Sequence, residues 1–186
     1  ALIADGHHRF EVASAKRDQY PAGMAYFVAM EDPGLVMRPI HRILMYPGGV
    51  AAHALRELCL ATPADLQAVQ SWLAGSDAPG RFGWYDGRAL YQLSVAEPVL
   101  KEWFASPSVP LPLAGLDVSV LHGLLLPRLG VSAENVRYTA SAADAIAAVD
   151  RTEGAGAWLL RGIPLAQVYT LGSQGLVLAP KSTYFY

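Results

Sequence analysis

The chain has 186 residues, 53% of them hydrophobic and 16% charged, with a formal net charge of −2. That length sustains one substantial core and is short for two, and the absence of a basic excess argues against nucleic acid or an anionic membrane as a partner. A single cysteine, Cys59, excludes an internal disulfide framework, and no apolar run of about 18 residues or secretory leader is read, so a cytoplasmic protein is expected.

The apolar start Ala1-Leu2-Ile3, the turn residues Ala4-Asp5-Gly6-His7-His8-Arg9 and the helix formers after them predict strand, tight turn and helix start. A helix start of this kind is an anion site, because its first N–H groups lack intrahelical partners and the helix dipole is positive there. Gly6 lets the backbone approach a ligand, and Arg9 offers a fork of donors for phosphate or carboxylate. His7 and His8 can donate, accept or bind metal, and Asp5 can serve as general base or metal-holder. Each residue also has a plain structural reading: Asp5 as a helix cap, a histidine facing the core, Arg9 paired with Glu11 or Asp18. Four functional side chains in five residues favour the site.

The helix is expected to run to Tyr20, with Phe10, Ala13 and Tyr20 near one face, before Pro21 closes it. Residues 24–30 read as an apolar strand covered on both faces. The strand over 35–45 places His41 with Ile43 and Met45 on one face and Arg42 with Ile40 and Leu44 on the other. Pro39 makes it an edge or breaks it, which can aim His41 or Arg42 toward the first motif; the plainer reading is a buried histidine with Arg38 and Arg42 at the surface.

A helix is predicted over 50–61, with Cys59 a buried small hydrophobe at helical spacing, followed by a helix capped by Thr62 with Pro63 at its first position. Asp86-Gly87 signals a hairpin in which Trp84 opposes Ala89 and Phe82 opposes Tyr91. Residues 98–104 read as a short helix and 106–112 as the most linker-like stretch. Asp117 is read as the cap of a helix carrying Val118, Leu121 and Leu125, with Pro127 kinking or ending it and His122 structural beside the stripe. A strand near 136–138, a helix capped by Ser141 and a strand over 157–160 form a βαβ pattern that allows parallel pairing. Pro164 opens a helix ending near Gly172. The run from Gly175 to Ser182 is one residue away from a phosphate loop, but Pro180 has no N–H, so a Walker-type ATPase is rejected. Lys181, Ser182 and Thr183 remain as isolated donors to an anion.

The run Ile3-Ala4-Asp5-Gly6-His7-His8-Arg9-Phe10-Glu11 resembles the signature of a prokaryotic family of uncharacterised proteins called domain of unknown function 1015. Met30-Glu31-Asp32-Pro33-Gly34-Leu35, Pro39-Ile40-His41-Arg42, Leu116-Asp117-Val118-Ser119-Val120-Leu121 and Ala179-Pro180-Lys181-Ser182-Thr183-Tyr184-Phe185-Tyr186 resemble its later blocks, in the same order. The first turn is also similar to that of the ParB and sulfiredoxin superfamily, which includes free-serine kinases and nucleotide-binding partition proteins. Membership of the first family implies relatives but no reaction. The chain begins inside an apolar run without an initiator methionine, so it reads as a fragment of a longer protein.

The expected fold is a single α+β unit over 1–186, a mixed, partly antiparallel sheet with helices packed on it, in which 1–47 carry the motif lobe and 48–186 the remainder. One functional reading is a nucleotide-dependent phosphotransferase on a small metabolite, with a nucleotide and Mg as cofactors. In it Gly6, Arg9, Lys181 and Ser182 bind phosphate, Asp5, His7 and His8 carry the chemistry, and His41 and Arg42 are accessory. The alternative is a nucleotide- or anion-responsive binding module, in the manner of partition proteins; a duller third is the structural half of a larger protein. No metal-binding spacing stands out, and Arg38 with Arg42 is too small a basic patch for nucleic acid.

Overall fold

The computed structural model describes residues 3, 6–45, 50, 52–106, 109–151, 156–179 and 181–185. Strands β2 (His41–Leu44), β3 (Cys59–Pro63), β4 (Arg81–Tyr85), β5 (Leu90–Val95), β6 (Val136–Thr139) and β7 (Gly156–Leu159) form one sheet in the order β3-β5-β4-β7-β2-β6. A separate ribbon pairs β1 (Met37–Arg38) with β8 (Tyr184–Phe185). All of these ladders are antiparallel, and helices pack on the sheet in an α+β arrangement.

Side chains alternate along each strand, which divides the apolar residues between two cores. Ile43, Ala157 and Leu159 join Val69 and Leu73 of α3 (Leu66–Ala74) and Ala145 and Val149 of α8 (Ala142–Asp150). Their strand neighbours Leu44 and Trp158 belong to the larger core with Phe82, Trp84, Leu93 and Val95. That core is completed by Leu55 of α2 (Ala52–Leu58), Trp103 of α4 (Glu97–Ala105) and the helical run from Asp117. Trp158 is fully buried, with Phe82 edge-on at 5.4 Å and Trp84 tilted at 4.9 Å.

Several expectations are corrected by tertiary context. Residues 24–30 form no strand, and Met24, Tyr26 and Phe27 are exposed, because an apolar run without a ladder partner cannot satisfy its backbone as a strand. Helix α1 (His7–Ala15) buries no residue, and Phe10 and Tyr20 lie in solvent. The helix expected over 50–61 stops at Leu58, since Cys59–Pro63 adds a ladder to β5 at the sheet edge, where proline is tolerated. Asp65 therefore replaces Thr62 as cap of α3, its carboxylate accepting from the N–H of Ala68 at 2.7 Å.

The hairpin register also differs. Trp84 pairs with Tyr91 and Phe82 with Leu93, leaving a four-residue loop in which Oδ1 of Asp86 accepts from the N–H groups of Arg88 and Ala89, both at 2.8 Å. The slip is two residues, so parity and the buried face are preserved. Parallel pairing of β6 with β7 does not form, because β2 is inserted between them and pairs with both. Gly48 and Gly49, Pro107 and Ser108, and the strand start at Ala1 and Leu2 lie outside the described residues. No helix among the described residues is long and apolar enough to cross a membrane.

Close packing fixes one glycine in β7. A Cβ on Gly156 would lie 2.1 Å from the Trp84 ring, whose face is held by Trp158. Gly156→Ala should destabilise the protein by about 1–3 kcal/mol in urea unfolding through overpacking. An unchanged unfolding midpoint would contradict this account of the aromatic core.

Candidate functional site

Pro39 breaks the first strand, and β2 resumes as a fully buried segment at the sheet interior. His41 and Arg42 therefore enter the protein, and the expectation of a surface Arg42 is corrected: it is 1% exposed. Its Nε donates to Nε2 of His122 at 3.1 Å, one Nη to the carbonyl of Ile40, and the other to the carbonyl of Lys181 at 3.1 Å. The guanidinium also lies 5.5 Å from the centre of the Tyr138 ring, on which His122 stacks. Arg42 forms no ion pair with a carboxylate among the described residues. Burial pulls its pKa down to about 10, so the charge persists at neutral pH.

Three distant pieces of chain build this surrounding: the segment 181–183, the turn that carries His122, and β6 with Tyr138. The β1–β8 pairing, with Met37 opposite Phe185 and Arg38 opposite Tyr184, draws the segment 181–183 beside β2. His122 comes from a π-helical turn, Leu121–Leu125, between α6 (Asp117–Val120) and α7 (Leu126–Arg128). Pro127 lies just beyond it and has no N–H to return to the preceding turn. Because Nε2 accepts from Arg42, the neutral His122 ring carries its proton on Nδ1. His41 is held differently: its Nδ1 accepts from the N–H of Leu160 at 3.1 Å.

Arg42 lines one wall of a cavity of about 320 Å³ with Ile40, Ser182, Leu116, Val118, Ile163 and Gln167. Asp117 and Arg161 line it too. The expected cap role of Asp117 is corrected, since its side chain turns inward: Oδ1 accepts from the N–H of Gly80 at 2.7 Å and Oδ2 lies 2.7 Å from Nε of Arg161, held by charge rather than by aligned hydrogen bonding. Burial raises the Asp117 pKa against the opposing pull of Arg161. Arg161 also donates to the carbonyls of Ser76, Asp77 and Ala78, clamping that loop. Sequence reasoning missed this pair, although an acid between Leu116 and Val118 and an arginine directly after a buried strand were the available signals.

At the first motif, Gly6 adopts a left-handed φ of 82° and caps α1 with no side-chain hydrogen bond. Arg9 folds back over it, so that a Cβ on Gly6 would meet Nε and Nη2 at 3.1 Å. His7, His8 and Arg9 are exposed, and His8 makes a solvent-facing contact with Glu11 at 3.3 Å, a pair of small energetic weight. An open groove beside them is lined by His8, Arg9, Lys16, Arg17 and Tyr20. Asp5 lies outside the described residues. Lys181 is exposed at a left-handed φ of 58°, and Ser182 is buried with its hydroxyl donating to the carbonyl of Ala179. Thus Arg42, Lys181 and Ser182 come together, while the cavity and the basic groove share no lining residue. Cys59 is buried with its thiol pushed up to about 12, a packing residue.

A family model described as Protein of unknown function (DUF1015) matches residues 1–119. No curated protein matches the chain. Among solved structures it is similar to a free serine kinase mutant in complex with AMP, with TM-score 0.53 and 16% identity over 98% of this chain and 66% of that one. It is similar to a free serine kinase in complex with AMP at TM-score 0.52 and 17% identity, over 98% and 66% of the two chains. A conserved hypothetical protein from Pyrococcus furiosus aligns at TM-score 0.50 and 17% identity, over 98% and 68%. At such identities the likeness is one of fold, and the chain spans 66% of the kinase's length.

The two histidines around Arg42 make stability depend on pH. Burial, reinforced by Arg42, lowers both His41 and His122 to about 4 from the ordinary 6.5. Between those values the unfolded chain binds protons that the folded state refuses, so stability is full above about pH 6.5 and lost as pH falls toward 4. His41 contributes at most on the order of 3 kcal/mol, and His122, which is only partly buried, less because solvent screens it. Urea unfolding at pH 7 and 4.5 should reveal the loss, and His41→Asn with His122→Gln, which keep an acceptor without a titrating ring, should flatten it. A wild-type stability equal at both pH values would contradict the assignment.

Proposed function

The chain belongs to the DUF1015 family of proteins of unknown function, and from its fold and its first motif we propose that it is a nucleotide-dependent phosphotransferase acting on a small metabolite. The observation that carries the reading is the open cationic turn: Gly6 left-handed and without a side-chain cap bond, Arg9 folded over it, and His7 and His8 exposed beside it. Such a turn combines the first N–H groups of a helix, its positive end and a guanidinium, all suited to phosphate oxygens. The fold's likeness to free serine kinases in complex with AMP and ADP supports a nucleotide as the ligand.

In this reading Arg9 and the first-turn N–H groups hold phosphate and neutralise charge as the phosphoryl group moves. His7 and His8 orient its oxygens, and Asp5 takes the proton of the acceptor hydroxyl. Lys181 offers an exposed ammonium from the segment that also packs on Arg42. Ser182 is a weaker phosphate ligand, because its hydroxyl proton is already donated to Ala179. His41 and Arg42 act as accessories by ordering the chain around 160 and 181. The described residues contain no cluster of three His, Cys, Asp or Glu side chains. Magnesium would be carried largely by phosphate oxygens and water, as it commonly is.

Calorimetric titration of ATP and ADP into the protein and an Arg9→Ala variant at low ionic strength tests this. Losing one well-placed charged contact should weaken binding by roughly ten- to a hundredfold. Failure of the folded protein to bind either nucleotide, or equal binding by Arg9→Ala, would leave the turn a purely structural feature.

A further inference from the structure

We infer that the cavity beside Arg42 is a second ligand site, separate from the cationic turn, which binds a small monocarboxylate by its carboxylate group. This inference goes beyond the phosphotransfer reading and does not rest on it. Its basis is a count of charges and donors around one buried guanidinium.

Arginine has five N–H donors. Those of Arg42 make three hydrogen bonds, to His122, Ile40 and Lys181, and five less three leaves two without an acceptor among the described residues. None of the three acceptors is anionic, yet the side chain is 1% exposed. A buried charge is ordinarily paired or finds a ligand that pairs it. The other charges on the cavity wall do not serve: Asp117 is matched by Arg161 at 2.7 Å and by the N–H of Gly80, and the Asp77 side chain is fully exposed. Among the described residues, the cavity therefore carries one unmatched positive charge.

A single planar guanidinium with two spare donors matches a carboxylate, which it can engage through two parallel hydrogen bonds. A phosphate dianion would need a second free cation, and Arg161 is held by Asp117 and by the 76–78 carbonyls. The remaining wall fits an apolar body: Ile40, Leu116, Val118, Leu160 and Ile163. Ser182 can accept a hydrogen bond, since its own proton is committed to Ala179. At about 320 Å³ the space lies at the small end of ligand pockets, which suits a metabolite of a few carbons.

The test measures thermal unfolding midpoints and saturation curves with acetate, butyrate and L-lactate, with their amides acetamide, butyramide and lactamide, and with inorganic phosphate, all at fixed ionic strength. Ligands that bind the folded state alone raise the midpoint by mass action. At least one carboxylate should bind at least tenfold more tightly than its amide and than phosphate. Arg42→Met should reduce that binding at least tenfold. Gln167→Trp, an exposed rim position that keeps the buried network intact, should also reduce it and decides the matter if Arg42→Met does not fold. Arg9→Ala should leave it unchanged, so that failure of the nucleotide reading is distinguishable from failure here. Equal binding of acids and amides, preference for phosphate, or full binding in folded Arg42→Met or in Gln167→Trp would overturn the inference.

Discussion

A positive charge held at the interior edge of the sheet is the constraint on which the rest of the site depends. Desolvating a guanidinium is costly, and here the compensation is a shell of neutral acceptors and a ring face instead of a carboxylate. That shell draws on Ile40 just before β2, the π-helical turn, β6 and the segment before β8. Four separate parts of the chain are thereby tied to one side chain. Neutral acceptors satisfy hydrogen bonds without cancelling charge, so the field of Arg42 remains available to whatever enters the adjoining cavity.

The same charge accounts for the state of its neighbours. His122 and His41 stay neutral because a proton on either would meet both desolvation and Arg42. Across the cavity, Asp117 with Arg161 forms a self-contained pair that anchors Gly80 and the 76–78 loop. The two arginines thus have opposite characters: one is neutralised and structural, the other is structural in its hydrogen bonds and unneutralised in its charge. The cationic turn at Gly6 differs again, being exposed and built on a helix that buries nothing. A basic surface turn and an interior pocket thus offer different chemistry within one chain.

Much of this was legible in the sequence wherever local pattern and tertiary context agree. Strand parity put Ile43 and Leu44 on opposite faces, capping chemistry picked out Ser141, and Pro39 marked an edge or a break, of which the break is what forms. The hairpin kept its buried face despite a register slip, because a two-residue shift conserves alternation. The misses share a cause in long-range pairing. Residues 59–63 follow a helix yet join β5 as an edge strand, and β2 enters between β6 and β7 from nearly a hundred residues earlier. Arg42 was named for the site from its place beside His41, but nothing local revealed that it would be buried or that its partners would be His122 and Lys181. Asp117 looked like a helix cap by position, and the N–H of Gly80 together with Arg161 explains why it turns inward.

Nitrogen-15 NMR of the arginine side chains observes the central charge directly. The Arg42 Nε–H signal should exchange slowly with water, as expected for a buried donor to His122, and its Nη signals should shift on addition of at least one of acetate, butyrate and L-lactate while those of Arg161 stay in place. The corresponding amide should leave both unmoved. Rapid exchange at Arg42, or Nη signals that ignore all three carboxylates or respond equally to their amides, would contradict a buried, uncompensated guanidinium that an anionic ligand completes.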